Sequence, residues 1–373
     1  MLRYGRRRRA RSLAVVAVAF LGCRSAPPLG ELPPGAVEDS VAATRFVARA
    51  DSLRQAARIP GLAIAIVRDT TIVLARGLGY ADVERRIAVT PETPFDIASV
   101  TKPIAAVVAL RLAERGRLDL DRRMSSYAGF DAFCRDARAR GGIFFRDFLC
   151  DTHPITLRQV MSMSVNGVPG MRFWYNPISY SWASRPMMQV TDSSFSDLVT
   201  AHVFHPAGMT RSARIHRALP LRADLGADLA KPYHADSTGT VVPSAPPGPQ
   251  GDGAGGGVIS TVRDLARFDI ALTRGRLLNA ASRAAMWTAG RSHSGTLLPY
   301  GIGWFVEEHE GEQLLWHTGL WEEKYSALYL KVPARKLTLI LLANSDGLRW
   351  EKRLDEGGAV RSPFARAFLD SFR

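Results

Sequence analysis

The feature that most constrains this chain is where its β-rich runs lie: they sit at its two ends. Residues 61–82 (GLAIAIVRDTTIVLARGLGYAD) hold two such runs around Arg68-Asp69-Thr70, a hairpin signature. Four more follow up to Asn344: YGIGWFVEEH, EQLLWHTG, YSALYLKVP and LTLILLAN. Short turns between strands imply antiparallel pairing. The chain between them lacks this pattern. Residues 38–58, 98–115, 260–273 and 364–372 carry helical spacing, and about 118–250 reads as mixed helix and loop. Residues 241–257 read as a Pro/Gly loop. The expectation is an α+β fold. An antiparallel sheet is built from N- and C-terminal strands, flanked by helices, with a largely helical insertion at about 118–250.

The N-terminus reads as an export signal. Residues 3–11 are cationic, residues 12–22 (SLAVVAVAFLG) are apolar, and a small-residue site ends at Gly22-Cys23. That apolar run falls short of the ~20 residues that span a bilayer. Phe20-Leu21-Gly22-Cys23 resembles a bacterial lipobox, so Cys23 is a lipidation candidate. Residues 1–23 are expected to be the signal, 24–37 a Pro/Gly-rich tether and 38–373 the working domain. The expected location is the periplasm, or the membrane through a lipid anchor.

The formal net charge is +14, but seven arginines lie in the first 24 residues. The remaining +7 is spread without a basic, aromatic-studded stripe, which argues against a nucleic-acid partner. Cys134 and Cys150, sixteen residues apart, form a disulfide candidate in an oxidising compartment. Two buried free thiols are the alternative.

Ser99-Val100-Thr101-Lys102 is an S-x-x-K motif at the head of an apolar helical run. Residues three apart share a helix face, so the hydroxyl meets the amine. A neutral amine can take the hydroxyl proton and create a nucleophile. Helix N-terminal N–H groups would then face the developing oxyanion. Only six of 49 basic residues are lysines, and Lys102 alone has a serine three positions before it. A lysine in so arginine-biased a chain suggests an amine that must lose its charge. The other reading makes Ser99 a helix cap and Lys102 a solvated first-turn residue.

Residues 91–107 (PETPFDIASVTKPIAAV) resemble the serine β-lactamase-like superfamily, in its branch of class C β-lactamases, penicillin-binding proteins and family VIII esterases. That branch carries T-x-F-x-I-A-S-x-[TS]-K at its nucleophile; Thr93, Phe95, Ile97, Ala98, Ser99, Thr101 and Lys102 match in order. Its P-G-x-x-F-x-Y-S-N-x-x-Y segment is similar to residues 169–180, which puts Tyr175 at the catalytic tyrosine. Pro177 stands where the family has an asparagine that holds a substrate amide; Asn176 is the candidate substitute. The family's K-T-G or H-x-G corresponds to His317-Thr318-Gly319. The resemblance implies that His317 supplies a donor facing the serine–tyrosine pair. It also implies that Gly319 admits substrate close to the strand and that the Leu320 N–H joins the oxyanion hole. Leu320-Trp321-Glu322-Glu323-Lys324 replaces the family's small loop at the cleft rim. Residues 127–153 exceed the family's link after the nucleophile helix, and their extra length holds both candidate disulfide cysteines.

The implied function is a serine hydrolase that cleaves an ester or amide of a small molecule or peptide through a Ser99 acyl-enzyme. Lys102 and Tyr175 would share the base work. The departure at Pro177 favours esters. A D-Ala-D-Ala carboxypeptidase, a D-aminopeptidase or a β-lactamase is the alternative within that chemistry. A non-catalytic envelope protein using the same cleft to bind a ligand is the alternative outside it. No motif implies a cofactor or metal: His202 and His205 are three apart, but they lack an acidic third ligand and no H-E-x-x-H occurs.

Overall fold

The computed structural model describes residue 1 and residues 36–248, 250–349 and 358–373. The expected signal, the lipidation candidate Cys23 and all but the last two residues of the tether lie outside the described residues.

The sheet is assembled from both ends of the chain. Strands β1 (Gly61–Arg68), β2 (Thr71–Asp82) and β3 (Ile87–Ala88) come from the N-terminal side. Strands β9 (Phe305–His309), β10 (Glu312–Trp321), β11 (Tyr325–Val332) and β12 (Leu337–Ala343) come from the C-terminal side. They form one seven-stranded sheet in the order β3-β2-β1-β12-β11-β10-β9. All its pairs are antiparallel. The two halves meet where Leu62–Arg68 run against Ala343–Leu337. The β1–β2 turn places Asp69 at φ 55°, a left-handed position an aspartate tolerates.

Every residue of β11 and β12 is buried, so both sheet faces are covered. Helix α1 (Ala36–Ala56) packs on the C-terminal helix Pro363–Ser371, with the Phe46 and Phe368 rings 5.6 Å apart. Helix Val262–Thr273 packs against β1 and β12. Its Asp269 meets Lys331 of β11 at 3.0 Å and also accepts from the Tyr329 hydroxyl at 2.6 Å. A buried ion pair needs such hydrogen-bond partners to offset its desolvation.

A second, smaller sheet sets up the site. It joins β4 (Phe95–Asp96), β5 (Ala213–Arg214) and β8 (Val258–Ser260) in the order β4-β8-β5. The Pro/Gly stretch expected at 241–257 is not loop throughout. Val241–Pro243 (β7) pair with Tyr233–Ala235 (β6), because the valines can present backbone to a neighbour and fit a pleated strand. The insertion carries helices α3 (Phe130–Arg140), Leu157–Met161, Pro177–Trp182, Ser184–Thr191 and Phe195–Val199. The Cys134–Cys150 disulfide is formed, with Cα atoms 5.9 Å apart, so the free-thiol alternative falls.

Candidate active site

The chain enters the site through β4, whose Phe95 and Asp96 pair with Ser260 and Ile259. A tight turn, Ala98–Val100, then leads into helix α2 (Thr101–Glu114). Asp96 accepts the Ala98 N–H at 2.8 Å, and Ala98 takes φ 45°. That conformation is disfavoured for an alanine, so the surrounding contacts must hold it. It leaves Ser99 in the tight turn ahead of the helix. Ser99 is therefore not a cap: Val100 takes that position, without a side-chain capping bond. Pro103 falls in the first turn of α2, where its missing N–H costs nothing.

Lys102 is fully buried, which excludes the solvated reading. Its Nζ lies 2.6 Å from Ser99 Oγ and donates to the Gly255 carbonyl at 3.0 Å. Burial pulls its pKa down to about 7, so a large neutral fraction exists near neutral pH. The Tyr175 ring centroid lies 5.1 Å from the amine, and its phenol pairs with the Ser99 hydroxyl. Burial pushes the Tyr175 pKa upward, opposed by the bond to Ser99, so the phenol keeps its proton. Ser99, Lys102 and Tyr175 thus converge on one point. Of the three, Lys102 is the side chain that can accept a proton near neutral pH.

Two supports were not read from the sequence. Tyr180 donates to the Lys102 carbonyl at 3.0 Å, fixing the first turn of α2; the Tyr-x₄-Tyr spacing was its only signal. Arg214, buried, holds the loop that presents Gly255 through the carbonyls of Gly253 (3.0 Å) and Gly256 and through Asp252 (3.1 Å). Nothing local marks Arg214, because its partners lie about forty residues away in the chain. A Cβ on Gly255 would stand 2.3 Å from Ser181 Oγ, which would have to give up its bond to the Pro177 carbonyl.

Three expectations are corrected. His317 does not offer a donor to the serine–tyrosine pair. Its Nδ1–H donates to the Thr318 carbonyl at 2.7 Å, and its Nε2 accepts from the Tyr300 hydroxyl at 2.9 Å. Burial and the nearby Lys102 hold its pKa well below the usual range, so the ring is neutral and fully partnered. Asn176 does not reach substrate either. It is buried, its amide donates to Phe144 O at 2.7 Å and Asn166 Oδ1 at 3.0 Å, and its oxygen caps helix Pro177–Trp182 through Ser179 N–H. Pro177 occupies the first position of that helix, where proline is favoured. Gly319 makes room for protein rather than substrate: a Cβ there would lie 2.2 Å from the Ile97 carbonyl. Strand β10 must press that close to the turn bearing Ser99.

Leu320 does reach the cleft. Strand β10 pairs with β9 only as far as Trp316, so its outer edge from His317 onward has no strand neighbour among the described residues. A cavity of 930 Å³ opens there, lined by Ser99, Tyr175, Gly255, Thr318 and Leu320 among others. Ile143, Phe144, Trp174, Ile178 and Trp321 form apolar walls, with Glu322 and Arg349 also on the lining.

Comparison with known proteins agrees with this geometry. The chain is 26% identical over 304 residues to penicillin-binding protein 4* of Bacillus subtilis (strain 168), covering 74% of this chain and 66% of that protein. The chain thus spans somewhat under two thirds of that relative's length. Two solved structures share its fold. One is the hydrolase EstCE1, described as having promiscuous acyltransferase activity (TM-score 0.68, 18% identity, 90% of this chain and 99% of that one). The other is a D-amino acid amidase from Ochrobactrum anthropi (TM-score 0.67, 19% identity, 89% and 97%). The Beta-lactamase family model matches residues 46–359, most of the chain, and the protein belongs to that family of serine hydrolases.

Proposed function

We propose that the protein is an exported carboxylesterase-like hydrolase that works through a Ser99 acyl-enzyme. The observation that carries this is the contact of Ser99 Oγ with a buried amine whose pKa is about 7. Ser99 attacks the ester carbonyl and its proton passes to Lys102 Nζ. The developing oxyanion lies against N–H groups at the head of α2 and on the free edge of β10. As the C–O bond breaks, the Tyr175 phenol protonates the leaving alkoxide and regains a proton from Lys102. Water then attacks the acyl carbonyl, gives its proton to the same pair, and Ser99 leaves reprotonated.

An ester is preferred over an amide because the residues 176–177 offer no amide-holding group. Asn176 is spent inside the protein and Pro177 has neither N–H nor polar side chain. The Cys134–Cys150 disulfide supports export, since such bonds persist in oxidising compartments. A carboxylate-bearing peptide or β-lactam is the second reading, favoured by Arg349 on the cavity lining.

The test uses p-nitrophenyl butyrate and nitrocefin side by side, with residues 1–23 removed, against Ser99→Ala. Ester turnover lost in the variant is the expected result. Nitrocefin turnover without ester turnover would select the second reading. A folded protein with neither would overturn the esterase assignment.

A further inference from the structure

We infer that the disulfide-stapled segment 130–150 is the specificity wall of this site, and that the wall selects a long apolar acyl group, octanoyl rather than acetyl. This rests on the acyl-enzyme reading and names its substrate class.

The segment is fastened to the machinery at three levels. The Cys134–Cys150 bond closes it at the base. Phe130 and Phe133 then pack on Trp182, with centroids 5.2 and 5.6 Å apart, at the end of the helix that follows Tyr175. At the tip, the Phe144 carbonyl accepts from two buried amides, Asn166 at 2.9 Å and Asn176 at 2.7 Å, and Asn176 is the neighbour of Tyr175. The Ile143 carbonyl accepts from the Trp174 indole at 3.2 Å, on the other side of Tyr175. So the tip of the segment is held on both flanks of the candidate catalytic tyrosine.

That tip puts Ile143 and Phe144 on the cavity lining, which also includes Leu320 and Trp321 of β10. Ile143 is 68% exposed and Ile178 is 40% exposed, both on the cavity lining. The walls therefore offer apolar surface that only a ligand would cover. An acetyl group has no methylene to lay against it. An alkyl chain laid between the walls would bury methylenes, each raising the second-order rate about fourfold. The 930 Å³ volume is that of a site for a molecule of drug size.

The experiment measures covalent labelling by ethyl and decyl fluorophosphonates, on the protein lacking residues 1–23. In both, a Ser99 Oγ–phosphorus bond forms, the P–F bond breaks, fluoride leaves, and the serine proton passes to Lys102. Labelling does not depend on whether the natural bond is ester or amide. The decyl probe is expected to label on the order of 50-fold faster, from about three buried methylenes. Ile143→Ser, at an exposed lip that folding does not need, should lower that ratio about fourfold. Ile87→Ser, on the remote edge strand β3, should leave it unchanged. A ratio near one overturns the inference, and so does a ratio that Ile143→Ser does not move. No Ser99-dependent label with either probe overturns the hydrolase reading on which it stands.

Discussion

Replacing Lys102 by methionine should remove activity and stabilise the protein near neutral pH. An unfolded lysine keeps its proton to about 10.5, whereas buried Lys102 releases it near 7. Between those values the unfolded chain binds more protons, so stability rises with pH across that window. Below it, the folded state carries the full cost of a buried, protonated amine. Inside the window the cost falls with pH, from about 4 kcal/mol at pH 7.5 to about 1.5 kcal/mol at pH 9.5. Methionine is similar in length and has no such cost. It does leave the Gly255 carbonyl without its partner, a loss of about 1–3 kcal/mol at either pH. The variant should therefore be about 2 kcal/mol more stable at pH 7.5 and no more stable than the parent at pH 9.5. Urea unfolding of both proteins at the two pH values measures this. The decisive quantity is the difference between the two pH values, about 2–3 kcal/mol, because the lost hydrogen bond cancels from it. Ester turnover should fall by about 10²–10⁴-fold, as expected for loss of a general base. A stability difference that does not change with pH would refute the depressed amine and with it the proton acceptor assigned here.

Three further outcomes are expected. Gly319→Ala drives a Cβ into the Ile97 carbonyl and displaces the Ser99 turn, so kcat/KM should fall about 100-fold while circular dichroism stays unchanged. Tyr300→Phe takes the donor from His317 Nε2 and should cost about 1–3 kcal/mol in urea unfolding; a larger effect on kcat than on stability would return His317 to the chemistry. Replacing both Cys134 and Cys150 by serine opens a sixteen-residue separation and should cost about 3 kcal/mol; unchanged stability would show that aromatic packing alone holds the segment.

Much of the fold was legible because hydrophobic periodicity is local. The hairpin at 61–82, the helix at 98–115 and the four C-terminal strands all lie within a few residues of their expected bounds. The 98–115 run divides, with a tight turn at Ala98–Val100 ahead of α2, because Asp96 captures the Ala98 N–H. The Ser99–Lys102 pair was legible for the same reason, since a three-residue step across the helical turn leading into α2 fixes its own distance. His317, Asn176 and Gly319 were misread together. Each has the residue type its role requires, but what it touches depends on chain segments elsewhere. Tyr300 reaches His317 from a loop, Phe144 reaches Asn176 from the stapled segment, and Ile97 fills the space beside Gly319.

The sequence by itself thus determined the class of fold and the Ser99–Lys102 pairing, because periodicity and a three-residue spacing across a helical turn are local. Only the tertiary structure decided that Lys102 is buried, that Gly255 is its second partner, and that Ile143 and Phe144 wall the cavity. Burial and pKa follow from everything packed around a group, and around Lys102 that packing includes Tyr175, Tyr180 and Gly255, all far away along the chain.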